Sequence, residues 1–251
     1  MRDALGVSAE SVARRRGSRL LLTPAPGAGY PEGMAEAAPG PEEISEHEWQ
    51  FEGDAARVRR WLAGTEYVAP EAPVDEEIVD TYFETPDWEL SRAGFTCRVR
   101  DSNGRVAATL KSFGRREGEA LVRVELEQPL PEPLPPSDWP PGPARAALVE
   151  AVPLHALRPI FILRTWRRSC RLIDDGTAVA ILSFDRCVVE TPDGGVRGRF
   201  ERIELEALRG AEESAAELAR VVARECGLRP ASGSKFVTAV RLVGLRPPVL
   251  G

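Results

Sequence analysis

The feature that most restricts how this chain can fold is a set of short segments in which charged and apolar residues alternate, with the signs of charge grouped. Glu46-His47-Glu48-Trp49-Gln50 puts Glu46, Glu48 and Gln50 on one face of an extended chain. Arg98-Val99-Arg100 brings two arginines together, and Thr109-Leu110-Lys111 follows across a turn. Arg123-Val124-Glu125-Leu126-Glu127 and Glu204-Leu205-Glu206 repeat the pattern. Side chains at i and i+2 share a strand face, so each segment has a charged side and an apolar side. One such strand could simply lie half in water. Acidic pairs near both ends of the domain, with basic pairs between them, ask for more, because a solvated face mixes signs. A closed barrel would gather the charged faces on one cavity and leave no open edge. Clustered arginines there need a polyanion, and clustered carboxylates need a hard divalent cation with oxygen ligands, Mg²⁺ or Mn²⁺.

The remaining segments supply the parts of such a domain. Asp54 is positioned to cap a helix over Ala55–Leu62, with Gly64 ending it. Ile78–Phe83 reads as a strand, and Phe95–Asp101 with Arg105–Lys111 forms a hairpin around Asn103-Gly104. Eight prolines between Pro129 and Pro143 suggest a stiff linker between two halves. Beyond it come a helix over Ala144–Val152, strands near 161–173, 177–190 and 198–207, and an amphipathic helix over Ala211–Cys226 closed by Gly227. Strands in runs with segregated helices predict an α+β fold: a closed antiparallel β-barrel, helices packed outside. Residues 1–40, rich in Gly, Ala and Pro, are expected to be a disordered tail, with Met34 an alternative start. The domain would then occupy 41–251.

Composition narrows the partners. The formal net charge is −6, which argues against a nucleic-acid surface. No run of ~18 apolar residues suggests a membrane span. Cys97, Cys170, Cys187 and Cys226 show no metal-binding spacing and read as buried thiols, consistent with a cytoplasmic setting. His47, between two glutamates, should point away from the charged face, and Trp49, Trp61 and Trp166 are expected to pack in the shell. The chain has only two lysines, Lys111 and Lys235, so each stands out within a motif.

In this order, the segments resemble the CYTH family, the triphosphate tunnel metalloenzymes. Glu46-x-Glu48-x-Gln50 stands where the family has Glu-x-Glu-x-Lys, and Asp80-Thr81-Tyr82-Phe83-Glu84-Thr85-Pro86 is similar to its Asp-Thr-Tyr-Tyr-Asp-Thr-Pro. Arg98-x-Arg100, Thr109-Leu110-Lys111, Arg123-x-Glu125-x-Glu127, Arg164-Thr165-Trp166-Arg167, Asp185-Arg186, Glu204-x-Glu206 and Ser234-Lys235 continue the correspondence. The resemblance implies that Arg98, Arg100, Lys111, Arg123, Arg167 and Lys235 bind phosphoryl oxygens. Strand parity favours Arg167, with Arg164 and Arg168 as alternatives. It also implies metal binding by Glu46, Glu48, Asp185, Glu204 and Glu206 with Glu125 or Glu127, and makes Gln50 and Arg167 the catalytic candidates.

The expected activity is metal-dependent hydrolysis of a small-molecule triphosphate, inorganic triphosphate first. Thiamine triphosphate hydrolysis and adenylyl cyclase chemistry are the alternatives within the family. The departure is Gln50: where the family has a lysine associated with activating water, an amide can orient a water but cannot take its proton. A tunnel that binds polyphosphate or nucleotide with impaired catalysis is therefore the rival reading.

Overall fold

The structure is a computed structural model and describes residues 44–69 and 71–247. The expected tail, with Met34, lies outside the described residues. In chain order the elements are β1 (Ile44–Glu52), α1 (Ala55–Leu62), β2 (Val74–Glu84), α2 (Glu89–Arg92), β3 (Phe95–Ser102), β4 (Arg105–Ser112), β5 (Arg115–Glu117) and β6 (Ala120–Leu130). After two short 3₁₀ turns and α3 (Pro143–Ala151) come β7 (Arg158–Asp174), β8 (Thr177–Glu190), β9 (Val196–Ala207), α4 (Glu212–Cys226), β10 (Arg229–Pro230) and α5 (Lys235–Leu242).

Eight strands run β1-β9-β8-β7-β2-β3-β4-β6, and β6 returns to β1 to close an antiparallel barrel. Closure depends on β1 serving two neighbours: Ile44–Glu48 pairs with β6, and Glu48–Phe51 with β9. The hairpins turn where the backbone must adopt positive φ. Asn103 and Gly104 have φ of 51° and 81°, and Asp175 and Gly176 have 47° and 75°, the pairing that a two-residue turn matched to strand twist requires.

Outward-facing apolar residues build two shells. Trp49, Phe51, Leu182, Ile203 and Leu205 pack under α1 and α4. Cys97, Val99, Ala108 and Leu110 pack under α3. Each fully buried leucine in these layers contributes ~2 kcal/mol of transfer free energy. A third cluster is built from inward-facing Tyr82, Phe161, Leu163, Cys187 and Val189, on which α5 packs through Phe236, Ala239 and Val240, filling one end of the barrel. The proline-rich stretch is more than a linker: it starts within β6 and continues along the outer wall, where Pro136 and Trp139 are buried and the indole N–H donates to the Leu134 carbonyl at 3.0 Å. No helix among the described residues is long and apolar enough to cross a membrane.

A buried carboxylate organises the turn after β2. Glu84 Oε1 accepts from the Thr85 and Leu90 N–H groups at 2.8 and 3.1 Å, and Oε2 from the Ser91 N–H and hydroxyl at 2.8 and 2.6 Å. Glu84→Ala would strand these buried donors and should lower stability by about 3 kcal/mol, read as a reduced urea midpoint. An unchanged midpoint would mean the donors find other partners.

Candidate active site in the barrel lumen

The period-two pattern turns the charged faces inward. A cavity of about 530 Å³ is lined by Glu46, Glu48 and Gln50 from β1, Arg98 and Arg100 from β3, and Lys111 from β4. Arg123, Glu125 and Glu127 come from β6, Arg167 from β7, Glu204 and Glu206 from β9, and Lys235 from the first turn of α5. Every candidate residue except Asp185 borders this space. Asp185 lies behind Arg167 with its side chain wholly buried.

The cations and carboxylates are interleaved. Arg167 donates through Nε and Nη2 to the two Asp185 oxygens, both at 2.8 Å, and through Nη2 to Glu204 at 2.9 Å. Lys235 donates to Glu204 at 2.8 Å and also contacts Asp185. Lys111 pairs with Glu125 at 2.7 Å and with Glu46. Arg123 pairs with Glu48, and Gln50 Nε2 donates to Glu48 at 2.8 Å. Arg98 reaches Glu125 at 3.3 Å. Arg164 and Arg168, the alternatives on β7, sit on the outer face, paired with Glu190 at 3.0 Å and Asp75 at 3.2 Å. Both Glu125 and Glu127 border the lumen, Glu127 near its exposed end without an ion pair among the described residues. His47 lies opposite Val122, on the face away from the lumen. Trp49 packs in the outer shell and Trp61 stacks on Tyr67. Trp166, expected to pack there too, instead lies on the outer face at 40% exposure.

Electrostatics follows from this crowding. Burial pushes the Glu46 carboxyl up to about 7 despite Lys111, with neighbouring Glu125 adding to the rise. Glu125 is itself buried, yet Arg98 and Lys111 outweigh that burial and hold it well below the usual carboxylate range. Glu204 is held low in the same way by Lys235 and Arg167. A group whose folded value is raised above its unfolded one stabilises fully below the unfolded value, and that contribution is lost as pH rises through the folded one. For Glu46 the window therefore runs from about 4.5 to about 7, and ionising it costs about 3 kcal/mol by pH 8. Glu46→Gln, which mimics the protonated form, should make the metal-free protein more stable than wild type by that amount at pH 8, with the gain shrinking toward pH 5. Urea unfolding at both values checks it; a pH-independent gain would rule out the titration.

Six glutamates and six cationic side chains line the cavity, with Asp80 and Asp185 buried behind them. Fully ionised, the site therefore carries two negative charges in excess, and every acidic donor is oxygen, the set a hard divalent cation prefers. Among the described residues no three acidic, His or Cys side chains already converge in metal-binding geometry, because the carboxylates are turned toward the arginines and lysines. The donor set fits such an ion, and Glu46, Glu48, Glu125, Glu127, Glu204 and Glu206 are the side chains able to turn toward it.

Sequence reasoning missed several lining residues: Tyr82, Phe113, Phe236 and Val237 cluster at one side of the cavity, and Leu121 borders it from β6. It also gave no role to Asp80 or to Arg202. The latter is 2% exposed and hydrogen-bonded to Glu52 at 3.2 Å and to Thr238 of α5 at 3.0 Å. Tyr82 and Asp80 share inward parity with each other within a stretch already singled out, so strand parity could have placed them. The α5 residues carry no such signal.

The closed barrel agrees with comparison to known proteins. A candidate adenylate cyclase from Bacillus halodurans superposes with a TM-score of 0.54 at 20% identity, over 78% of this chain and 95% of its own. A candidate adenylyl cyclase from Hippeastrum, described as having a dominant triphosphatase activity, superposes with a TM-score of 0.53 at 17% identity, over 81% and 98%. At such identities the likeness establishes the fold. Residues 55–239 match the CYTH domain profile, and with the closed barrel and its charged lumen this places the chain in the CYTH family.

Proposed function

We propose that this protein hydrolyses a small-molecule triphosphate in its lumen, with inorganic triphosphate as the preferred substrate and Mg²⁺ or Mn²⁺ as the required ion. The observation that carries the reading is the convergence of six cations and six carboxylates on one cavity of about 530 Å³. The cations suit a polyanion and the carboxylates suit the hard cation that accompanies it. Membership of a family whose Hippeastrum relative has triphosphatase activity supports it. The four cysteines are free thiols, in keeping with the cytoplasm as the site of action.

Binding begins with an exchange of partners. Arg98, Lys111, Arg123, Arg167 and Lys235 turn from carboxylates to phosphoryl oxygens through charge-assisted donors, and Arg100 adds its remaining edge without leaving Asp80. The lumen glutamates would hold the divalent ion, whose chemistry there would be charge neutralisation and Lewis acidity, while Asp185, buried behind Arg167, would act through that side chain. Arg167 and Lys235 neutralise charge developing on the transferred group, so rate enhancement rests on positioning and electrostatics. Gln50, beside Glu48 and opposite Glu204 in register, orients the attacking water by hydrogen bonding. The second reading, a binding module with impaired hydrolysis, is favoured only by that amide.

The test is phosphate release from inorganic triphosphate by the full chain with Mg²⁺ or Mn²⁺, with a chelator control and Arg98→Ala alongside. Metal-dependent release abolished by Arg98→Ala is the expected result. Triphosphate binding without release would favour the binding module, and neither binding nor release would overturn both.

A further inference from the structure

Arg98 and Arg100 stand two residues apart on the same face of β3, both largely out of water. Two such cations repel, and a guanidinium without a fixed partner swings to whichever carboxylate is in reach. Here those carboxylates are the lumen glutamates, Glu125 among them. Beneath the pair lies Asp80 on β2, directly opposite Arg100 in register. It is 2% exposed and does not border the cavity. Arg100 donates to it as a fork, Nε to Oδ1 at 2.8 Å and Nη2 to Oδ2 at 2.9 Å. The Arg98 Nε lies 3.6 Å from Oδ1.

We propose that Asp80 is a positioning residue for triphosphate binding: a buried anion that fixes the Arg100 guanidinium, keeps it off the glutamates, and leaves its Nη1 edge facing the lumen. The proposal rests on the triphosphate reading of the cavity and adds a residue that touches neither phosphate nor metal. Both carboxylate oxygens accept from Arg100, and Asp80 does not border the cavity where an ion would sit. Burial alone would raise its carboxyl, but Arg100 and Arg98 outweigh that effect and hold it at about 2, so the anion persists throughout the physiological range. An apolar pair in these two positions could pack equally well; it would not present an oriented cation to the cavity. The same cross-strand fork joins Arg167 to Asp185, but Asp185 also contacts Lys235, and Glu204 shares both cations, so partners there can exchange. Among the described residues, Asp80 has only arginines within ion-pair distance.

A double-mutant cycle on triphosphate affinity tests this, measured calorimetrically with the full chain for wild type, Asp80→Asn, Arg100→Ala and the double variant. Asp80→Asn should weaken binding about tenfold, and the double variant should bind no more weakly than Arg100→Ala alone, because Asp80 acts through that side chain. Losses that multiply would overturn the proposal while leaving the triphosphate reading intact. A wild type that binds no triphosphate would overturn that reading and the positioning role with it. Should Asp80→Asn fail to fold, the ¹⁵N resonance of the Arg100 Nε–H in the wild type decides: slow exchange with solvent is expected, and exchange as fast as that of an exposed arginine would sink the fixed fork.

Discussion

Arg167→Ala should cost the ligand-free protein about 3 to 5 kcal/mol of stability and reduce triphosphate turnover by about 10² to 10³-fold. The guanidinium bridges Asp185 and Glu204, and its own charge is secure. Burial disfavours it, but the Asp185 hydrogen bonds together with the Asp185 and Glu204 charges outweigh that, so it stays cationic at any accessible pH. Removing it leaves two buried carboxylates with Lys235 as their remaining ion-pair partner among the described residues. Breaking such a pair from one side costs more than the pair contributes, because the surviving charge remains desolvated. Arg167→Lys would restore the charge without the fork, so it should recover much of the stability and less of the turnover. Urea unfolding and phosphate release measure the two losses separately. Turnover within a few-fold of wild type would mean that the reacting phosphoryl group does not reach the β7 wall.

Gln50→Lys is the second large effect, and its sign is upward. The Gln50 amide is tied to Glu48 at 2.8 Å and faces Glu204 across the β1–β9 pairing. An amine in its place sits in the same part of the lumen and can exchange a proton with water, which the amide cannot do. Supplying a general base is worth about 10² to 10⁴-fold where one is missing, and flanking carboxylates, by favouring the charged amine, take back part of that. An increase in turnover of about tenfold or more is expected, with triphosphate affinity almost unchanged, since Arg98, Arg100 and Lys111 lie on other strands. Unchanged or reduced turnover with intact affinity would show that the chemistry does not depend on a base at this position. Metal-assisted water activation by the carboxylates would then be sufficient.

The inward residues could be read from the chain because strand periodicity admits only two faces. Once Glu48 faces the lumen, so do Glu46 and Gln50, and the same parity selects Arg167 over Arg164 and Arg168. The Asn103-Gly104 turn likewise declared itself, since few residue pairs accept two consecutive positive φ values. Lys235 was found only through its resemblance to a family motif. It enters the lumen from the N-terminus of α5, and no alternation rule on a strand leads to a residue presented by a helix. Asp80 escaped notice for a different reason. Its role depends on burial, and a sequence does not say which carboxylate along an alternating strand ends up beneath two arginines.

What the sequence determined by itself is the sign and parity of each strand's inner face and the positions of the turns, because both are set by steric rules acting over a few residues. What only the tertiary structure decided is which charge meets which. Arg123 finds Glu48 because β1 divides its length between β6 and β9, while Arg98 reaches Glu125 across β4 and Arg167 reaches Glu204 across β8, each in the register those ladders set. Those partners are far apart in the chain, and the register that joins them is chosen by the packing of outer apolar shells against the helices, a property of the whole fold.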